Sequence, residues 1–179
     1  MLYRDFPVNG GGKVLELVFC GSLSTTKGGV MTGTSTTHLF RSEEFKLKQS
    51  FHSVSSCSPP EVMHGRDSFQ TMYCHLLCGL VYWEEIQIVS STFAYTLVEA
   101  LRSFERHWKS LCEDIRRGCL NEWISDPGLR TAVASGILTS ADPKLASMIT
   151  SRCLVAMESG WYGIIPRLWP NCKYLHSIM

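Results

Sequence analysis

The chain has almost no net charge. Its 17 Lys and Arg stand against 16 Asp and Glu, leaving +1 over 179 residues. No field of one sign is available to concentrate nucleic acid or to hold the protein on an anionic membrane. The one notable cationic pair, Arg116-Arg117, falls at an expected helix end, where cations offset the helix dipole. Long hydrophobic runs are missing too. The richest, Leu76 to Trp83, is far too short to span a bilayer. The first residues include Arg4 and Asp5 and lack the continuous apolar stretch of a secretory signal, so a soluble, cytoplasmic chain is expected, with neither nucleic acid nor membrane as partner. There is no internal repeat, linker or low-complexity segment. Hydrophobic residues make up 45% and charged residues 18%, a globular rather than disordered balance, and the length suits one domain.

Cysteine is plentiful, with eight residues. Without a secretory signal these are expected to be reduced, mostly buried thiols rather than a disulfide framework. Cys74 and Cys78 stand four apart on an expected helix, with His75 between them. His75 points about 100° away from Cys74 by the helical period, so neither a metal site nor a Cys–His catalytic pair is expected there. The remaining histidines, His38, His52, His64, His107 and His176, show no ligand spacing. No metal site and no catalytic residue are assigned.

Lys13 to Cys20 alternates, with Leu15, Leu17 and Phe19 on one face, and reads as a strand. The preceding Asn9-Gly10-Gly11-Gly12 is a turn. Although GGGK suggests a phosphate loop, it lacks the spacing and leads into a strand rather than a helix. Asp67 to Trp83 is a helix, with Asp67 and Gln70 as a capping box and an apolar stripe of Phe69, Met72, Tyr73, Leu76, Leu77 and Leu80. Glu85 to Phe93 is a strand with Ile86, Ile88, Ser90 and Thr92 on one side. A long helix follows from about Ala94 to Arg117, stopped at Gly118. Leu129 to Leu138 is a short helix. Asp142-Pro143 opens another, reaching towards Met157. Trp161 to Leu168 is a further short helical piece, and Lys173 to Met179 a final strand. This order predicts an α/β fold with at least partly parallel pairing.

Two groups of residues invite a chemical reading. Gly28 to Arg41, GGVMTGTSTTHLFR, holds three Gly and five Thr or Ser. A turn at Gly33 followed by Thr34, Ser35, Thr36 and Thr37 offers N–H groups and hydroxyls to a small carboxylate. On chemistry alone an ordinary loop feeding a strand or extended piece, His38 to Arg41, is the better explanation. Ser90 and Thr92 are small polar residues in an apolar strand and face either a pocket or buried backbone partners. Glu43 and Glu44 suit the first turn of a short helix after Ser42.

The ordered set formed by Val14–Cys20, Gly28–Arg41, SCSPPEV at Ser56–Val62, TMYCHLLCGL at Thr71–Leu80 and GWYGIIPRLWPNCKYLHSIM at the end resembles the plant auxin-responsive acyl acid–amido synthetases. These are the Gretchen Hagen family of adenylate-forming enzymes, and the likeness is greatest to the jasmonate-conjugating branch. The resemblance implies that 1–179 is a single, incomplete α/β segment of the large N-terminal domain, with a mixed or parallel sheet flanked by helices. It implies an ATP- and Mg²⁺-dependent ligase that adenylates a jasmonate-like, auxin-like or benzoate acid and passes the acyl group to an amino acid. It places Gly33, Thr34, Ser35, Thr36 and Thr37 at the amino-acid site, Thr36 foremost, and Ser90, Thr92 and Phe93 at the acyl site. The family's three nucleotide motifs are absent. One would precede Met1, a Thr-Gly-Ser continuation would follow Met179, and the mobile C-terminal domain is missing. The alternative is a non-catalytic remnant that at most binds an acyl acid, an amino acid or a protein partner. Exposed apolar strand edges are expected to promote self-association.

Overall fold

Alternation carries Lys13–Leu17 (β1) into the centre of a four-stranded sheet, where Leu15 and Leu17 are buried. In a computed structural model, which describes residues 10–21, 23–45 and 55–178, the sheet order is Ser55–Ser56 (β4), β1, Ile86–Phe93 (β5) and Tyr174–Ile178 (β6). All three pairings are parallel. Asn9, His52 and Met179 lie outside the described residues. Ser24–Thr25 (β2) and Met31–Thr32 (β3) form a small antiparallel ribbon apart from the main sheet. The expected alternation of β1 stops at Leu17. Val18 and Cys20 are buried while Phe19 is exposed, because the chain has left the sheet and changed the face it presents.

Seven helices have both ends among the described residues: Ser35–Arg41 (α1), Pro60–Met63 (α2), Ser68–Val81 (α3), Ala94–Arg117 (α4), Pro127–Gly136 (α5), Pro143–Glu158 (α6) and Ile164–Leu168 (α7). Residues 43–45 are helical too, as expected after Ser42. The reading of His38 to Arg41 as extended is corrected by α1. Its Thr-rich sequence is a weak helix former, but Thr34 caps it and Phe40 is buried with Val18, Cys20 and Met63. Tertiary burial therefore overrides propensity, and it fastens α1 to the chain leaving β1.

Helix α3 is more deeply buried than a one-sided stripe predicts. Thr71 and every residue from Tyr73 to Leu80 are buried, whereas Phe69, at the first turn, is exposed. Close approach makes this possible. A Cβ at Gly79 would lie 2.9 Å from Leu15 Cδ2, so α3 rests directly on β1. Trp169 Nε1–H donates to the Gly79 carbonyl at 2.8 Å from the other end of the chain. Half of the expected capping box forms. Asp67 accepts from the N–H groups of Phe69 and Gln70, but the Gln70 side chain accepts from Ser125 N–H and Asp126 N–H instead of reaching back.

Helix α4 spans the expected residues and ends where Gly118 enters the left-handed region at φ +66°. Cys119 N–H reaches Asp114 O and Gly118 N–H reaches Ile115 O, a Schellman closure. α4 packs on α3, α6 and β5, so one continuous core joins sheet and helices.

Candidate functional site

A parallel sheet presents all its carboxyl ends on one edge, and ligands of open α/β sheets bind beyond that edge. Both predicted residue groups lie there. Register pairs Glu16 with Ser90 and Leu17 with Ser91, so the chain leaving β1 starts beside the end of β5.

At the end of β5, Ser90 and Thr92 are half-buried and Phe93 is 54% exposed. Ser90 Oγ lies 3.4 Å from His176 Nδ1 on β6, its register partner. The β5–β6 register slips between Ser90 and Phe93, a local bulge of the kind that re-aims side chains next to sites. The buried Ser91 faces the other way and donates to Phe93 O at 2.6 Å, which fixes the strand end. Tyr95, on the first turn of α4, is 71% exposed beside it.

Beyond β1 the chain runs through Val18–Gly21 to the β2–β3 ribbon and then to Gly33. A Cβ at Gly33 would lie 2.7 Å from Leu23, so the ribbon's entry and exit press together there. The five residues of the turn divide by task. Thr34 Oγ1 accepts from Thr37 N–H at 3.1 Å and lies 2.9 Å from Thr37 Oγ1, and Thr37 is buried. These two hydroxyls build the cap of α1. Ser35 is exposed and Thr36 half-buried, and neither hydroxyl has a hydrogen bond among the described residues. The turn is tied to the exit of β1 by the Arg41 guanidinium, 3.5 Å from Gly21 O, and by Phe40, which packs with Val18 and Cys20.

His75 faces this exit from below. Its Nδ1 accepts from Ser58 Oγ–H at 2.7 Å and its Nε2–H donates to Val18 O at 2.8 Å. Burial pulls its pKa down to about 4, with the Val18 hydrogen bond opposing, so the ring is neutral near pH 7. The local sequence offers His75 only Cys74 and Cys78 as partners. The Ser58 partner is 17 residues away and carries no local signal. The thiols are quiet: burial pushes Cys57 and Cys74 up to about 12 and Cys20 to about 11. All eight cysteines are free and six are buried.

Among the described residues no group of three or more His, Cys, Asp or Glu is placed to hold a metal ion, and no helix is long and apolar enough to cross a membrane. Gly10 and Gly11 form a turn that enters β1 directly, with no helix N-terminus facing it. Gly10 and Gly11 therefore do not form a phosphate loop.

Comparison with known proteins supplies the frame for this edge. Residues 1–179 match the GH3 family N-terminal domain. The chain is 43% identical over 176 residues to the jasmonoyl–L-amino acid synthetase JAR6 of Nicotiana attenuata, covering 98% of this chain and 30% of that protein. It is 44% identical over 177 residues to the indole-3-acetic acid-amido synthetase GH3.10 of Arabidopsis thaliana, covering 98% and 30%. The solved GH3.15 acyl acid amido synthetase superposes with a TM-score of 0.82 at 31% identity, covering 99% of this chain and 29% of that one. The chain thus spans about 30% of the length of the relatives it matches. With its parallel sheet, flanking helices and end-to-end match, the chain belongs to the GH3 family.

Proposed function

We propose that the chain forms the substrate-facing part of an ATP-dependent acyl acid–amido synthetase. Such an enzyme conjugates a jasmonate-like, auxin-like or benzoate acid to an amino acid through an acyl-adenylate. The observation that carries this reading is the match at 43–44% identity over 98% of the chain to relatives named as jasmonoyl–L-amino acid and indole-3-acetic acid-amido synthetases. The two residue groups at the carboxyl edge support it. In this reading Gly33, Thr34, Ser35, Thr36 and Thr37 receive the amino acid. Thr34 and Thr37 hold the turn, while Ser35 and Thr36 present hydroxyls to the amino acid's carboxylate. Ser90, Thr92 and Phe93 contact the acyl group, with the polar pair near its carboxylate and the phenyl ring against its apolar body.

What these residues do is bind and orient. Holding an amine against an activated acyl carbon replaces a bimolecular encounter with a fixed geometry. ATP and Mg²⁺ supply the activation when bound, and their contacts belong to parts of the family fold beyond this chain. In a second reading the chain binds an acyl acid, an amino acid or a protein partner without chemistry. ATP–pyrophosphate exchange with a panel of jasmonate, auxin and benzoate acids separates the two, run on the 179-residue chain and on a version extended to the relatives' full length. Exchange by the extended version alone is expected. Exchange by neither would sink the ligase reading.

A further inference from the structure

We propose that His75, held by Ser58, is a positioning residue that sets where the Gly33–Thr37 turn stands at the carboxyl edge. The inference rests on the reading that this turn receives the amino acid. One imidazole bridges two chain segments leaving neighbouring strands. Ser58 follows β4, Val18 follows β1, and His75 comes from α3, which rests on β1 through Gly79. Both side chains are buried, Ser58 at 5% and His75 at 1% exposure. Water therefore cannot replace a lost bond, and Val18 O would lose its donor while Ser58 Oγ kept only thiol neighbours.

From this clip the constraint runs outward along the chain. Val18 is fixed by His75, and Cys20 N–H donates to Met63 O at 2.8 Å. Gly21 O then accepts from the Arg41 guanidinium at 3.5 Å. Phe40 closes the path by packing on Val18, Cys20 and Met63. Among the described residues the turn has few other anchors. Ser35 is exposed, and the ribbon that delivers Gly33 is exposed along both strands. A core histidine serving stability alone would have no such directed path. Its loss would loosen every element in proportion to the stability lost.

The test measures backbone hydrogen exchange and amino-acid binding on the full chain, at a temperature where each variant is fully folded. His75→Leu keeps a similar volume and removes both bonds. His75→Gln keeps an N–H donor directed at Val18 O. Ser58→Ala removes the anchor alone. In His75→Leu, exchange is expected to rise about tenfold at residues 18–21 and 34–41 and to change far less in α4. His75→Gln is expected to restore most of that protection, and Ser58→Ala to fall between. An equal rise in α4 and in the turn, or no rescue by Gln, overturns the proposal. Should His75→Leu fail to fold, the ordering of Ser58→Ala and His75→Gln decides on the same criterion.

Titration with each proteinogenic L-amino acid in turn gives the second readout. The dissociation constant is expected to rise about tenfold in His75→Leu. An unchanged constant in a loosened turn would overturn the positioning role. If the wild-type chain binds no amino acid, the assignment of the turn fails, and hydrogen exchange alone still decides whether His75 positions it.

Discussion

At the scale of single residues, the turn makes a clean separation between building and binding. Thr34→Ala removes the acceptor for Thr37 N–H and is expected to lower stability by roughly 1 kcal/mol, the usual worth of an N-cap, seen as a drop in thermal midpoint. Thr36→Val deletes a hydroxyl with no partner among the described residues at almost constant shape. It is expected to leave the midpoint unchanged and to weaken amino-acid binding about tenfold in the extended enzyme, the worth of one hydrogen bond to a charged carboxylate. Unaltered amino-acid kinetics would remove Thr36 from the site. His75 adds a pH signature. Its folded pKa, about 4, lies below the ordinary 6.5, so the unfolded chain binds the proton more tightly between those values. Stability therefore falls as pH drops from 6.5 through 4, by up to roughly 3 kcal/mol from this residue alone. Denaturant titrations of wild type and His75→Gln should converge as pH falls. Parallel curves across that window would mean that the ring is not held neutral by burial.

At the scale of elements, what the sequence made legible was what local chemistry dictates. The bounds of α4 follow from an apolar stripe and Gly118, and the start of α6 from Asp142-Pro143, where the Asp side chain does cap. The helix expected over Leu129 to Leu138 instead runs from Pro127 to Gly136, because Asp126 caps it and Pro127 suits a first turn. The elements that escaped are those decided at a distance. α1 exists because Phe40 finds Val18, Cys20 and Met63. The second half of the capping box fails because Gln70 finds the 125–126 backbone. The Ser58–His75 clip and the bulge beside Ser90 are relations between separate segments, invisible to periodicity. The candidate residues follow from resemblance alone, whereas the division of Thr34 and Thr37 from Ser35 and Thr36 depends on contacts that form only in the folded turn. Gly118 shows how strict a local rule becomes when packing joins it. A Cβ there would strain a φ of +66° and also lie 2.5 Å from Ala141 N, backbone that cannot swing aside. Gly118→Ala is expected to cost more than about 2 kcal/mol, as the sum of left-handed strain and this clash. A thermal midpoint within a degree of wild type would show that the loop at 140–141 yields freely.

At the scale of the whole molecule, the two edges of the sheet differ. Among the described residues the β4 edge is two residues long, and short edges resist pairing with other chains. The β6 edge is five residues long and, among the described residues, pairs only with β5. Leu175 and Ile178 are exposed along it, and Phe93 and Tyr95 are exposed next to it at the end of β5 and the start of α4. Exposed backbone donors and acceptors beside apolar side chains make a template for strand addition. With a net charge of +1, little long-range repulsion keeps two copies apart. The chain by itself is therefore expected to self-associate, and sedimentation velocity should show the weight-average mass rising with concentration. Leu175→Lys with Ile178→Lys places charge on that edge, the usual protection of solvent-facing strands, and should return the protein to a monomer without altering helix content. If the wild type sediments as a monomer at every concentration and unfolds in one sharp transition, the β6 edge is not an association surface. If the double variant associates as strongly as wild type, the contact lies elsewhere, and the exposed β2–β3 ribbon becomes the next surface to charge.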